Sequence, residues 1–330
     1  MKLVLVESPT KSKSLQNFLG KDYKVLASFG HVRDLPKSKI GIDTENNFQP
    51  EYIIMQKARK VVKEIKSSLV KADVVILATD PDREGESIAW HLTKALNLVP
   101  IKNKSKSKKE KTYERVVFHE ITKDAIKEAF KNPREIDMDL VDAQQARRIL
   151  DRIVGYKLSP FLWKKIVRRL SAGRVQSVAV KLVAEREKEI EDFIPQQYWS
   201  ITALLKKTGD GEFEASLVGQ NDKMIPKMGL KTAQEIEDIV KELDGAEYKT
   251  VDVKKKEVKR NPLPPFTTST LQQEAWQKFR FPAKLTMGIA QKLYETGKIT
   301  YHRTDSFNLS SLSLDAAKKF ITENYGPNYW

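Results

Sequence analysis

Apolar and polar positions along the chain alternate between short apolar runs and stripes at helical spacing. The clearest run is Val74-Val-Ile-Leu-Ala-Thr-Asp80. Its uncharged, β-branched character predicts a strand buried on both faces, as in a parallel sheet. Beyond Asp80 the pattern switches. Asp82 and Glu84 follow at every second position, Gly85 loosens the backbone, Ser87 can cap, and Ile88, Leu92, Ala95 and Leu96 recur at helical spacing. The acids therefore belong on a turn at the carboxyl end of a strand, where open α/β sheets bind ligands. Leu3-Val-Leu-Val6 predicts a second strand, ended by Glu7. Ser8-Pro9-Thr10-Lys11 then turns into a helix bearing Leu15, Phe18 and Leu19, with Gly20 placed to close it. Adjacent parallel strands would bring Glu7 and the Asp80 cluster to one sheet edge, with Lys11 near it.

The same patterning predicts the remaining elements. Tyr23 to Gly30 is a strand and turn, residues 37–56 a polar excursion from the sheet, and Ala58 to Leu69 a helix. Lys102 to Lys111 holds six lysines and no apolar residue, a composition that cannot pack and predicts a disordered loop. Arg115 to Phe118 is a strand, and a helix runs from Thr122 to Phe130. Ala146, Ile149, Leu150, Ile153 and Val154 form the stripe of a helix that Gly155 should end, with Tyr156 and Trp163 flanking Pro160 in the connection. A long helix follows Leu170 and runs to about Ile190. Strands are expected over Tyr198–Leu205, Glu212–Val218 and Tyr248–Val258, with a helix over Thr232–Leu243. Asn261 to Phe266 is an extended proline segment feeding a capped helix. The helix from Leu285 ends at Gly297, and a strand over Ile299–His302 carries Tyr301. Arg303 lies two residues on, at same-face spacing, so guanidinium and phenol can meet one phosphate.

Composition narrows the partners. The 330 residues carry a formal charge of +15, which favours a polyanion. The absence of cysteine excludes disulfides, thiolate zinc sites and cysteine nucleophiles. No apolar run approaches the ~20 residues of a membrane span, and Glu7 interrupts the apolar start before any signal-peptide cleavage site, so a cytoplasmic location is expected. The chain has no Gly-x-x-x-x-Gly-Lys-Ser/Thr phosphate loop, so no nucleotide cofactor is expected. Carboxylates as dense as Asp80, Asp82 and Glu84 repel one another unless a cation neutralises them, and hard oxygen donors suit Mg²⁺. A solvated acidic turn is the plainer alternative.

Glu7 in Leu-Val-Glu7-Ser-Pro-Thr-Lys11, with Thr-Asp80-Pro-Asp82-Arg-Glu84-Gly-Glu86, resembles the Toprim domain, and these words are most similar to those of bacterial type IA topoisomerases. Three further words match that family in order: Ser171-Ala172-Gly173-Arg174-Val175-Gln176-Ser177, the proline motif from Asn261, and Tyr301-His-Arg303-Thr-Asp-Ser306. The resemblance implies an α/β fold. A Toprim parallel-sheet metal-binding domain spans 1–138, a helical single-strand DNA-binding segment 139–197, a β-rich arch segment 198–260, and the start of the helical tyrosine domain 261–330. It implies Tyr301 as nucleophile, Arg303 and Lys11 stabilising the phosphoryl oxygens, and Glu7 managing the 3′-oxygen proton. Mg²⁺ would be held by Glu7, Asp80, Asp82 and Glu84. His31 would contact DNA, and Arg147, Arg148, Asp151, Tyr156, Trp163 and Ser171 to Gln176 would line a single-strand path with a nucleotide pocket. The implied activity is ATP-independent relaxation of negatively supercoiled DNA through a 5′-phosphotyrosine link, by a monomer associated with the nucleoid. Family members continue well past the tyrosine, often into zinc modules, whereas this chain stops at Trp330, so a fragment or truncated product is expected. The alternative function is a non-catalytic, single-strand-binding remnant of such an enzyme.

Overall fold

β1 (Lys2–Val6) lies inside a five-stranded, all-parallel sheet whose order is β2 (Tyr23–Ala27), β1, β7 (Val74–Leu77), β9 (Lys111–Arg115) and β8 (Leu98–Pro100). The computed structural model describes residues 1–103, 111–206, 209 and 211–330. Lys104 to Glu110, most of the lysine-rich stretch, lie outside the described residues. The chain divides into two units, Met1–Arg174 with Pro262–Trp330, and Val175–Asn261.

In the first unit, alternation along β1 fills two separate cores. Leu3 and Leu5 face one side, with Val75 and Leu77 of β7 (Val74–Leu77), Val62 and Ile65 of α2 (Arg59–Leu69), and Leu92 of α3 (Arg83–Leu96). Val4 and Val6 face the other, with Leu15 of α1 (Pro9–Leu19), Ile126 of α4 (Lys123–Lys131), Tyr294 and Tyr301. Leu3 to Val6 are all fully buried. Each such side chain contributes on the order of 1.5–3 kcal/mol by leaving water, which is why the uncharged runs hold the centre. The edge strand β2 (Tyr23–Ala27) pairs with β1 from Lys2↔Tyr23 to Val6↔Ala27. Residues 33–54 leave the sheet in two short ladders, β3 (Arg33–Asp34) with β6 (Ile53–Ile54) and β4 (Ile42–Asp43) with β5 (Gln49–Pro50). β8 (Leu98–Pro100) and β9 (Lys111–Arg115) complete the other edge.

Two expectations change before Arg174. The strand expected at Arg115–Phe118 ends at Arg115 instead, where the ladder closes with Arg115 opposite Leu77 while Arg134 takes the other side of Arg115 through two backbone hydrogen bonds (3.0 and 2.8 Å). The helix expected to stop at Gly155 continues as α5 (Met138–Lys165), with Pro160 inside it and with Tyr156 and Trp163 helical. Gly155 meets nothing within 4 Å and adopts no left-handed cap, and one proline removes a single ladder bond from a 28-residue helix.

After Pro262 the chain returns as α8 (Thr268–Phe279), α9 (Ala283–Glu295) and α10 (Ser311–Tyr325). The strand expected at Ile299–His302 is irregular chain. Its nearest backbone anchor is a lone bond from Tyr301 N–H to the His119 carbonyl (2.7 Å), and a strand needs a ladder. Gly297 turns there with φ 72°, and a Cβ at that position would lie 2.5 Å from the Ile121 carbonyl oxygen, so the turn requires glycine.

The second unit holds most of α6 (Arg174–Glu191), an antiparallel pair β10 (Thr202–Lys206) with β11 (Glu212–Ser216), a short ladder β12 (Gly219–Gln220) with β13 (Lys223–Met224), and α7 (Ala233–Leu243). Thr232 and Glu235 cap α7 reciprocally. The strand expected over Tyr248–Val258 does not form. Val251, Val253 and Val258 are 91, 69 and 80 % exposed, and among the described residues no neighbouring strand takes their hydrogen bonds.

Candidate active site at the carboxyl end of the sheet

β1 and β7 are neighbours, so their carboxyl ends deliver Glu7 and Thr79-Asp80 side by side. Ser8 caps α1, accepting from Lys11 N–H (3.1 Å), and Pro9 starts the helix. This places Lys11 in the first turn, folded back over the sheet edge. Its Nζ donates to Glu7 Oε1 (3.0 Å) and Asp80 Oδ1 (2.9 Å), lies 4.8 Å from the Phe118 ring centre, and is fully buried. Its charge is directed at the two carboxylates. Glu7 Oε2 is buried and has no hydrogen-bond partner. Burial pushes the Glu7 carboxyl up to about 7 against the opposing pull of Lys11. Burial also acts to raise Asp80, but the Lys11 ammonium, by its charge and its hydrogen bond, holds it below the usual carboxylate range. Of the two carboxyls Glu7 is therefore the one that exchanges a proton near neutrality, while Asp80 stays ionised.

Asp82 joins this edge to the tyrosine. It caps α3, with Oδ1 accepting from Gly85 N–H (2.8 Å), and its Oδ2 accepts from the Tyr301 hydroxyl (2.5 Å). The turn is tight enough that a Cβ on Gly85 would lie 2.2 Å from the Asp80 carbonyl oxygen. Arg303 Nη1 stands 3.8 Å from the same Asp82 oxygen. Burial, followed by the Asp80 and Asp82 carboxylates, raises the Tyr301 phenol above its ordinary value, with Arg303 opposing. The hydroxyl is protonated at neutral pH in this arrangement.

Glu84 points elsewhere. Its Oε2 meets His31 Nε2 at 3.0 Å and Gln144 Nε2 at 3.4 Å. Among the described residues no three acidic or histidine side chains converge as a ligand set, so the expected gathering of Glu7, Asp80, Asp82 and Glu84 resolves into a pair, a tyrosine partner and a histidine partner. The donor chemistry of the pair still fits a hard cation, since an unpartnered buried Glu7 oxygen lies beside an ionised Asp80.

A cavity of about 1170 Å³ opens beside these groups. His31, Arg147, Arg148 and Asp151 line it together with Asp82 and Arg303. Arg148 forks onto Asp34 (2.9 and 2.7 Å), and Arg174 Nε pairs with Asp151 (2.5 Å). Tyr156 and Trp163 stand outside the cavity lining, the first donating to the Lys37 carbonyl and the second to the Leu170 carbonyl (2.8 and 2.6 Å). Ser171, Ala172 and Gly173 are also outside it. Ala172 N–H donates to Ser159 (3.1 Å), while Val175 and Gln176 fall in the second unit.

Residues 2–121 match the Toprim domain family, and residues 135–330 match the family described as DNA topoisomerase. The chain belongs to the bacterial type IA DNA topoisomerases. Full-length topoisomerase I from Thermotoga maritima, solved in a monoclinic crystal form, is 43 % identical with a TM-score of 0.80. The match covers 98 % of this chain and 53 % of that one, so the chain spans about half the length of that relative.

Two groups in this topoisomerase chain escaped sequence reasoning. Glu86 is fully buried and accepts from Arg115 Nε (3.0 Å), Arg134 Nη1 and Nη2 (2.8 and 3.0 Å) and Asp137 N–H (2.7 Å). Arg115 also donates to the carbonyls of Leu77, Thr79, Val116 and Asp80, pinning the backbone that carries the acids. An arginine at the end of a strand in a buried sheet was the available signal. The second group walls one side of the cavity. The Arg33 guanidinium lies over the rings of Tyr52 and Trp90 (5.5 and 5.6 Å), and His91 is buried beside them, its imidazole pushed down to about 3 by burial and by neighbouring His31. These residues come from β3, an irregular stretch and α3, and no spacing announces them.

Proposed function

We propose that this chain carries the cleavage and religation site of a type IA topoisomerase acting on single-stranded DNA. The observation that carries the reading is the Tyr301 hydroxyl held 2.5 Å from Asp82, beside the Lys11–Glu7–Asp80 cluster and at the mouth of a cavity lined by arginines. A phenol of ordinary pKa ~10 needs its proton removed as it attacks. Asp82 Oδ2 already accepts that proton's hydrogen bond. The Tyr301 oxygen forms a bond to the backbone phosphorus as the bond to the 3′-oxygen breaks, leaving a 5′-phosphotyrosine. Glu7, protonated near neutrality, supplies the proton the 3′-oxygen needs, and accepts it again on resealing. Arg303 neutralises the phosphoryl oxygens, and Lys11 supports them through the acids it holds. A Mg²⁺ bound beside Glu7, Asp80 and Asp82 would add positive charge for the same phosphate.

The covalent link keeps the energy of the phosphodiester, so relaxation of negatively supercoiled DNA needs no ATP in this reading, and the cytoplasmic nucleoid is the expected place of action. Among the described residues no helix is long and apolar enough to cross a membrane. The test is denaturing-gel trapping of end-labelled single-stranded DNA. A protein-linked 5′ end is expected with the parent chain and none with Tyr301→Phe. An adduct persisting in the Phe variant would move the nucleophile elsewhere, and none in either protein would favour a binding-only role.

A further inference from the structure

α2 presents an unusual surface. Its inner side, Val62, Ile65, Ser68 and Leu69, is buried against the sheet, and its outer side carries Arg59, Lys60, Lys63 and Lys66, all exposed, with Glu64 as the only acid. None of these cations forms an ion pair among the described residues. The nearest pairs along the sequence are Lys39–Glu51 and the Met1 amino group with Asp73. Like charges three and four residues apart (Arg59 with Lys63, Lys60 with Lys63, Lys63 with Lys66) each cost roughly 0.2–0.5 kcal/mol on a helix. A merely solubilising face would interleave acids. This one keeps the repulsion.

The cations are continuous with the central cavity. Lys57, in the short turn Gln56–Ala58 that feeds α2, lines the cavity. Two residues later Arg59 lines a second, shallower groove of about 870 Å³, shared with Lys63, Lys66 and the aliphatic Ile53, Ile54 and Val62. From Lys57 to Lys66 the row extends roughly 14 Å at the rise of these helices. No aromatic side chain lines the groove, so bases have nothing to stack on, while phosphates meet a row of unpaired cations.

We propose that the DNA strand held in the central cavity leaves it across Lys57 and is tracked through its phosphates along α2 by Arg59, Lys60, Lys63 and Lys66. The inference rests on the reading that the cavity holds single-stranded DNA. The exit row is sequence-independent, and it lengthens the bound strand without touching the cleavage chemistry. Its contribution falls steeply with salt.

The experiment compares two single-stranded oligonucleotides by fluorescence anisotropy, one of about 8 nucleotides that fills the cavity and one about three times as long. The parent should bind the long strand at least tenfold more tightly than the short one at low salt, with a steeper salt slope. Replacing Arg59→Gln, Lys63→Gln and Lys66→Gln together should erase most of that advantage and lower the long-strand slope by about 2, at roughly 0.7 per lost phosphate contact. Short-strand affinity should stay within about twofold. Glutamine keeps the helix and relieves the repulsion, so the melting temperature should not fall, and a Lys63→Glu, Lys66→Glu variant should weaken the long strand further. An unchanged long-strand advantage overturns the proposal. So does an equal loss for both oligonucleotides, which would mark a general field effect. Failure of the parent to bind even the short strand would defeat the cavity reading first, and the exit row with it.

Discussion

Two carboxylates of one acidic run, Asp80 and Glu86, are buried six residues apart and left in opposite conditions. Glu86 takes hydrogen bonds from two arginines and a backbone amide, and every oxygen is satisfied. Asp80 shares a single ammonium with Glu7, whose second oxygen has no partner at all. A saturated buried charge is part of the scaffold, and removing a partner from it is costly. An undersaturated one keeps its protonation adjustable and leaves room for a cation or a reacting oxygen. Along one acidic run, then, Glu86 in the helix is a saturated charge and Asp80 at the strand end is an undersaturated one.

The largest contrast is in stability. Arg115→Leu takes from Glu86 its one fully buried cationic partner and orphans the carbonyls that Arg115 holds, so unfolding in urea should show a loss of about 3–5 kcal/mol. Glu7→Gln should cost about 1 kcal/mol or less, since its oxygens are already poorly partnered, while trapped adduct falls sharply. Equal losses of stability in the two variants would erase the distinction.

The pH dependence sharpens it further. Glu7 is raised from 4.5 to about 7 in the folded chain, chiefly by burial. The folded state therefore binds this proton more tightly than the unfolded one. Its contribution is fully present below pH 4.5 and is lost as pH rises to about 7, by at most ~3 kcal/mol. Asp80, lowered, acts with the opposite sign and loses its contribution as pH falls. Urea midpoints across this window should decline less steeply in Glu7→Gln than in the parent, and parallel curves would remove Glu7 as the titrating group.

A smaller effect separates the metal-facing acids from Glu84. If Mg²⁺ binds the parent, about tenfold excess over its dissociation constant should stabilise the fold by ~1.4 kcal/mol. The Asp80→Ala, Asp82→Ala double variant should lose that shift, and Glu84→Ala, whose side chain meets His31, should keep most of it. Loss of the shift in Glu84→Ala alone would place the ion on the histidine side.

The smallest effect compares a cavity arginine with one outside the lining. Arg147 lines the cavity and forms no ion pair among the described residues, so Arg147→Ala should lower the single-strand salt slope by about 0.7. Arg174, already bonded to Asp151 at 2.5 and 3.3 Å, should change it less. A greater loss from Arg174→Ala would reverse the order and put the strand on the Arg174 side.

Local pattern alone determined a good deal. The uncharged runs at Leu3 and Val74 had to be buried parallel strands, a helix had to follow Ser8-Pro9, and Glu7, Lys11, Asp80 and Tyr301 stood out because their neighbours form recognisable words, but the cap expected at Ser87 is supplied by Asp82, and Ser87 lies inside the helix. Local pattern misled where a residue's usual habit was overridden: Gly155 and Pro160 inside a long helix, and alternating charges at Tyr248–Val258 without a partner strand. The pairings were decided only by tertiary structure. Lys11 meets Asp80 across 69 positions, Arg148 meets Asp34 across 114, and Tyr301 meets Asp82 across 219. A side chain's partner is whatever packing brings within about 3 Å, and spacing along the chain carries no record of contacts made that far apart. For the same reason Glu84 and Glu86, two residues apart in one run, end on a histidine and on two arginines, while Asp80 waits beside a half-satisfied Glu7.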